Sequence, residues 1–352
     1  KLKAISPEIT LTDRGSGTAL AESLHNPDVL YVGTDDGAMW GTRDGGKTWN
    51  DLFGFTAVSS PAEASSTKAG KPAEATATKG KSKPLAKPKS KIAKIVSGPR
   101  WVSSIEASRH VEGRAYVTLD AHRSDDDHPY VLVTEDFGNS WRSLHDKLPR
   151  GSTRVIREDI HNADVLYLGT EFALFASIDR GQSWTSMNTN LPTVAIHEIA
   201  QHATSSEIIA GTHGRSLWLL DVTALRQMSS KTVRSDAHLY KPNTLITWRA
   251  AKRRGVSGGA RRYTGQNPPN QAEIFYSLAK NTKNVKLTIQ DQAGVTIRTL
   301  EANGSKGLHR VTWDLRQDAP EKPSEATHSH SKWNHMSGRY GRGRSTAPGK
   351  YW

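Results

Sequence analysis

The chain of 352 residues contains no cysteine. Disulfides, thiolate zinc sites and cysteine nucleophiles are therefore excluded. Aromatic side chains make up only 7% of the residues and apolar ones 35%, a balance that suits an all-β globular protein with polar additions. No apolar run approaches the roughly 18 residues that a membrane-spanning helix needs, so no membrane span is expected. Acidic compensation is also scarce: the net charge is +13, and an excess of that size raises the question of nucleic acid. Its distribution argues against that partner. Residues 61–94 hold nine lysines against Glu63 and Glu74, residues 249–262 hold six basic residues and no acid, and the remainder is neutral. Charge confined to two polar runs is not the footprint of a groove-binding face.

What is present is a repeat. Residues 42–49 read TRDGGKTW, residues 134–141 TEDFGNSW and residues 177–184 SIDRGQSW. The shared template is hydroxyl, any residue, Asp, any residue, Gly, any residue, hydroxyl, Trp. Asp44, Asp136 and Asp179 are suited to accept backbone N–H groups within a tight turn, and Gly46, Gly138 and Gly181 permit a positive φ. Trp49, Trp141 and Trp184 then leave the turn as buried anchors of the next strand. The similarity extends upstream, where His25 to Thr34 matches His161 to Thr170, with a weaker copy at Gly113 to Thr118. Glu207 to Thr212 repeats the strand once more and runs into Leu217 to Asp221 with no box after it.

The spacing locates an insertion. Asp136 and Asp179 are 43 residues apart, whereas Asp44 and Asp136 are 92 apart. Residues 59–92 are Ala, Lys, Pro, Ser, Thr and Gly with almost no large apolar side chain, and cannot bury enough surface to offset an ordering cost of roughly 1–2 kcal/mol per residue. The expectation is a disordered insert between two units of about 40 residues with several short strands each, as propeller blades require. The strands of the first unit are read at Ala19 to Ser23, Val29 to Thr34, Ala38 to Thr42 and Trp49 to Leu52. Those of the second are read at Trp101 to Ser108, Arg114 to Asp120, Tyr130 to Thr134 and Trp141 to Leu144.

The eight-residue template resembles the Asp-box, or BNR repeat, of β-propellers in sialidases, xyloglucanase-like glycosidases and the sortilin family. Thr212 to Asp221 resembles the closing segment of a bacterial BNR group labelled glycosyl hydrolase or sortilin-like. The resemblance implies a partial propeller of about three to four blades over residues 1–225. Ile5 to Thr10 resembles the segment that follows a box Trp, so further blades are expected in the parent chain. After a linker at 226–264, residues 265–352 resemble a FlgD-like Ig-type β-sandwich, through Val285 to Gly294, Gly307 to Asp314 and Pro348 to Tyr351. A basic, disordered insertion is expected at 318–347.

The resemblance also implies an exported protein, extracellular or periplasmic. Ligands of propellers bind at blade ends near the axis, which singles out His213 and Arg215. A glycosidase needs two carboxylates about 5 Å apart for retention or about 6.5–9.5 Å for inversion, and the acids that follow the Gly-Thr strands, Asp35, Asp36 and Glu171, are the candidates. The box aspartates are not, because their turns lie on the outer side. No Arg triad with a Tyr-Arg-Ile-Pro-like segment supports sialidase chemistry, and the Cys-rich modules of sortilins are missing. A binding or scaffold module for a polysaccharide or a peptide or protein ligand is the primary expectation, with a xyloglucanase-like glycoside hydrolase as the alternative. His122 to Pro129, with three adjacent aspartates, reads as an exposed polar turn. The histidines at 328, 330 and 335 lack carboxylate support for a metal. Neither a metal nor a cofactor is expected.

Overall fold

The computed structural model describes residues 4–55, 91–245 and 271–318. These form two compact units, one holding residues up to Gln201 together with Ile208–Leu220, the other His202–Glu207 and residues from Asp221 onward. Nearly all regular structure is antiparallel β-sheet, as the sequence predicts. Among the described residues no helix is long and apolar enough to cross a membrane.

The first unit is a succession of meander sheets. Strands β1 Gly17–Glu22, β2 Leu30–Thr34, β3 Met39–Thr42 and β4 Asn50–Asp51 form the first. The second comprises β5 Trp101–Ala107, β6 Ala115–Asp120, β7 Tyr130–Thr134 and β8 Arg142–Ser143, and the third β9 Thr153–Glu158, β10 Leu166–Thr170, β11 Leu174–Ser177 and β12 Thr185–Ser186. A fourth has three strands, β13 Ile196–Gln201, β14 Glu207–Thr212 and β15 Leu217–Asp221. This is the blade pattern of a β-propeller. The sheets stack face to face, since Tyr31 and Met39 of the first share a core with Val102, Ile105 and Leu132 of the second, and Tyr116 and Val133 of the second share one with Ile156 and Leu168 of the third. Consequently β6 and β10 are buried at every residue, whereas β2 and β14 are not. A strand covered on both faces loses the polar alternation of a surface strand.

The eight-residue repeats close the outer hairpins with one geometry. In the first, Asp44 Oδ1 accepts from Thr42 Oγ1 at 2.8 Å and Thr48 N at 2.9 Å, Oδ2 accepts from Thr48 Oγ1 at 2.6 Å, and Gly46 N donates to Thr42 Oγ1 at 3.0 Å. Asp136 and Asp179 make the same bonds with their own hydroxyl partners. The residue after each Asp also has positive φ, 68° at Gly45, 60° at Phe137 and 57° at Arg180, so a position the template left open carries its own backbone demand.

The box tryptophans depart from expectation. They are only partly buried, because their task is to join sheets rather than fill a core. Trp141 Nε1 donates to Leu52 O at 3.3 Å and Trp184 Nε1 to Leu144 O at 2.8 Å, in each case the residue just past the outer strand of the preceding sheet. Trp49 Nε1 donates to Ile5 O at 2.8 Å, so Ile5 occupies the same position ahead of the first sheet. The box glycines complete the contact: a Cβ on Gly138 would lie 2.7 Å from Leu52 and one on Gly181 2.9 Å from Leu144.

The insert is shorter than the sequence suggests. Lys91 N bonds Phe53 O and Ile92 is fully buried in the core of the first two sheets, so those two residues belong to the fold, while residues 56–90 lie outside the described residues. In the second unit, α1 Thr223–Gln227 and α2 Ser230–Arg234 precede β16 Ala237–Leu239, which pairs with β17 Ala272–Leu278. The segment expected to be a linker from 226 thus supplies a strand up to Leu239, and Tyr240 after it is buried. β17 pairs in turn with β20 Gly307–Trp313, and β18 Lys286–Gln290 pairs with β19 Thr296–Glu301. Ile274, Ile289, Leu300 and Trp313 from these four strands share one core. The basic run at 249–262, the histidines at 328, 330 and 335 and the strand expected at 348–351 lie outside the described residues.

Candidate functional site

A second repeat, at the opposite end of the blades from the eight-residue turns, builds the site. Each inner strand carries a bulge at one position: the pairing skips Thr18 in β1, Ser103 in β5, Arg154 in β9 and His197 in β13. Bulges re-aim a side chain, and all four of these residues line one cavity of about 170 Å³ together with Arg157 and Glu198. In the first two sheets the bulge residue is structural. Thr18 Oγ1 donates to Val102 O at 3.0 Å and Ser103 Oγ to Thr153 O at 2.9 Å, so each hydroxyl fastens its sheet to the next on the inner side. The third and fourth sheets replace that hydroxyl with Arg and His, freeing those side chains for other partners.

Arg154 Nη1 bonds the fully buried carboxylate of Asp120, and its Nη2 lies 3.8 Å from Glu171. Among the described residues its buried Nε has no hydrogen-bond partner, nor does Trp101 Nε1 close by in β5. Asp120 also receives His122 Nδ1 at 2.6 Å, and His122 sits 6.3 Å from the Trp101 ring, over which Arg123 lies at 4.2 Å. Arg123 continues the chain to Asp35, 3.9 Å away. On the other side, the rings of His197 and His213 are 5.1 Å apart. Burial, with the neighbouring Arg154 and His213, holds His197 below the ordinary imidazole range, so it is neutral at pH 7.

Deeper along the inner strands Arg157 reaches Ser104 Oγ at 3.0 Å, Glu198 Oε1 at 2.6 Å and Glu106 Oε2 at 3.6 Å. Burial pushes the Glu106 carboxyl up to about 7, against the opposing pull of Arg157 and Arg109. Its Oε1 is buried without a hydrogen-bond partner among the described residues.

The residues singled out by sequence fall as follows. Asp35 Oδ1 accepts from Ser16 N at 2.7 Å. Asp36 is engaged at both oxygens, with Oδ2 accepting from Leu11 N and Thr12 N at 2.8 Å each and Oδ1 from Thr34 Oγ1 at 2.6 Å. Burial opposes ionisation of Asp36, and these bonds outweigh it to hold the group below its ordinary value. Glu171 faces Arg154. His213 is exposed, and Arg215 is exposed with its backbone N bonded to Thr212 Oγ1 and its carbonyl to Trp218 Nε1. The aspartates of the 122–129 turn are held differently: Asp126 takes Arg100 at 2.9 Å and Tyr130 Oη at 2.9 Å, and Asp125 has left-handed φ. None of the sequence motifs marks the bulge residues. Their only signal is the matching place of Thr18, Ser103, Arg154 and His197 two residues before the apolar Leu20, Ile105, Ile156 and Ile199.

No protein-family model matches the chain, and no curated protein matches it. Solved structures that resemble it include the GH74 xyloglucanase from Xanthomonas campestris, at 15% identity and TM-score 0.36 over 57% of this chain and 28% of that one. The GH74 enzyme from Niastella koreensis aligns at 13% identity and TM-score 0.37, over 84% and 30%. YCF48 bound to D1 peptide aligns at 12% identity and TM-score 0.33, over 82% and 69%. The chain spans less than a third of the length of the two GH74 enzymes.

Proposed function

We propose that this chain is an exported binding or scaffold module, an Asp-box propeller followed by a FlgD-like Ig-type domain, whose blade ends around the bulge cavity hold a polysaccharide or peptide ligand. The observation that carries this reading is the state of the carboxylates there. Asp35, Asp36, Asp120 and Glu171 are each engaged by an arginine or by backbone N–H groups. Carboxylates so engaged have oxygens committed to their partners and little freedom to reposition on a substrate. The cavity itself is lined by Arg154, Arg157 and His197, the hydroxyls of Thr18, Ser103 and Ser104, and one carboxylate, Glu198, which Arg157 holds at 2.6 Å; His213, its ring 5.1 Å from that of His197, and Arg215 are taken as the neighbouring ligand contacts. Such groups recognise polar ligands without transforming them. Arg154→Ala should weaken the ligand by about 1–3 kcal/mol, the range for a charge-assisted hydrogen bond, measured by calorimetry against a polysaccharide panel and a peptide panel at equal folded fraction. Retention of full affinity for every ligand that the unsubstituted protein binds would refute the assignment.

One observation favours the glycoside hydrolase alternative. Glu106, raised to about 7, has the protonation of a general acid. Its burial beside Arg157 on the inner strand fits a structural acid better. Release of reducing sugar from a β-glucan that is abolished by Glu106→Gln would decide for the enzyme.

A further inference from the structure

A cavity of about 220 Å³ lies between the outer strands β3 and β4 of the first sheet and the turn that links β7 to β8 of the second, and shares no residue with the bulge cavity. Tyr31 lines it from the core side, and its hydroxyl is buried with no hydrogen-bond partner among the described residues. Burial pushes that hydroxyl up to about 12, with Arg43 opposing the rise, so at neutral pH it keeps its proton to donate. The Arg43 guanidinium lies 4.0 Å over the Phe137 ring, which leaves its N–H edge open, and it forms no ion pair among the described residues. Lys91 Nζ gives one N–H to Asp51 O at 3.3 Å and keeps two. The acid in the lining, Asp51, already accepts from Phe53 N and Gly54 N. Asn50 and Asn139 are exposed at the rim, and Asn139 Nδ2 donates to Asp136 O at 2.7 Å, leaving its amide oxygen.

The same place between the other sheets shows what is missing here. Tyr31, Tyr116 and Tyr167 hold one register position in β2, β6 and β10. Tyr116 Oη donates to Glu158 Oε1 at 3.3 Å, and Tyr167 Oη to Asp159 Oδ2 at 2.9 Å. Arg114 joins the first of these sets, 3.6 Å from Glu158 and 2.7 Å from Glu135. Between the first and second sheets Ala107 stands in the register place of Glu158. The acids that act on Tyr31 from a distance, Glu112 and Asp136, are engaged elsewhere: Glu112 accepts from Asn26 at 3.2 Å, and Asp136 holds Thr134 and Ser140 of its own turn.

We propose that this cavity binds a small hydroxylated carboxylate, a sugar acid, whose carboxylate supplies in the first sheet-to-sheet interface what Glu158 and Asp159 supply in the next two. Tyr31 Oη donates to it from the core side, and Arg43 pairs with it from the mouth. Lys91 adds a second positive charge, while Asn50 and Asn139 meet the hydroxyl groups. A carboxylate fits better than a phosphate, because the protein groups it replaces are carboxylates and a single planar guanidinium matches one carboxylate in two parallel bonds. The volume lies below the roughly 300 Å³ at which drug-sized sites begin, which limits the occupant to about one sugar ring.

The experiment is a ligand-observed NMR titration of the full chain with sodium glucuronate, and with glucose and inorganic phosphate as controls. Glucuronate should bind with a Kd of about 1 mM, and the controls at least about tenfold more weakly. Tyr31→Phe should weaken glucuronate about fivefold to tenfold, and Arg43→Gln about tenfold or more. Melting temperature without ligand supplies a second readout. Tyr31→Phe removes a buried hydroxyl that has no partner and should leave it unchanged or higher, whereas Tyr116→Phe, which strips a bond from Glu158, should lower it by about 2–4 °C. Absence of glucuronate binding, equal binding of glucose or phosphate, or affinity indifferent to either substitution overturns the proposal. So does a fall in melting temperature for Tyr31→Phe as large as that for Tyr116→Phe, since the Tyr31 hydroxyl would then already be satisfied within the chain.

Discussion

Replacing Trp141 with alanine tests whether the boxes hold the sheets together. The indole is partly buried, so about half of a ring surface of roughly 200 Å² leaves water, near 2.5 kcal/mol at about 25 cal/mol per Å². Its edge contact with Phe53 of the first sheet, at 5.3 Å between centroids and 71° between planes, adds about 1 kcal/mol. The long hydrogen bond to Leu52 O adds at most about 0.5 kcal/mol. The expected cost is thus about 3–4 kcal/mol, a fall in melting temperature of about 6–16 °C for a unit of roughly 200 residues. Trp141→Phe keeps the ring contact and should cost only about 1–1.5 kcal/mol. The assay is urea unfolding followed by far-ultraviolet circular dichroism, which does not depend on the deleted fluorophore. A double-mutant cycle with Phe53→Ala supplies the refutation. If Trp141 works by bridging two sheets, the two substitutions should couple by about 1 kcal/mol. Additivity within about 0.3 kcal/mol would show that the box tryptophan stabilises only its own turn.

Two glycines separate strain from crowding. Gly181 of the third box and Gly214 of the turn before β15 both have positive φ, 79° and 73°, but a Cβ at Gly181 would meet Leu144 at 2.9 Å whereas one at Gly214 would meet no described residue within 4 Å. Gly214→Ala should therefore cost about 1 kcal/mol and Gly181→Ala at least about 1 kcal/mol more, as read by chemical denaturation. The box aspartates predict acid sensitivity. Hydrogen bonds from the Thr48 hydroxyl and amide and from Thr42 hold Asp44 at about 2, and similar bonds, outweighing burial, hold Asp136 and Asp179 below their ordinary value. A folded value below the unfolded one gives stability that is present above pH ~4 and is lost as pH falls through the folded value. Melting temperature should drop between about pH 4 and pH 2, and the Asp44→Asn, Asp136→Asn, Asp179→Asn triple variant should flatten that drop.

How far the sequence reaches can be judged from three places. The eight-residue turns were legible residue by residue, because a carboxylate, a left-handed glycine and a flanking hydroxyl satisfy one another within eight residues. Their tryptophans were legible as anchors but not as partners: that Trp141 binds Leu52, 89 positions away, depends on how one sheet stacks on another. Ile92 was lost within a lysine-rich stretch because a single apolar side chain has no periodicity, and only its place beneath the first two sheets makes it core. At the candidate site Asp35, Asp36 and Glu171 follow directly on β2 and β10, and what the sequence leaves open is their partners, which decide their chemistry. Asp36 is held by residues 11 and 12, and Asp120 by a bulged arginine from the next sheet.

Local chemistry, then, set the strands, the turns and the repeat, since a meander sheet and its tight hairpins are specified by contacts near in sequence. The bulge cavity and the burial of one sheet against the next were decided by tertiary structure. A one-residue slip in pairing and the burial of a face both depend on which strand lies alongside.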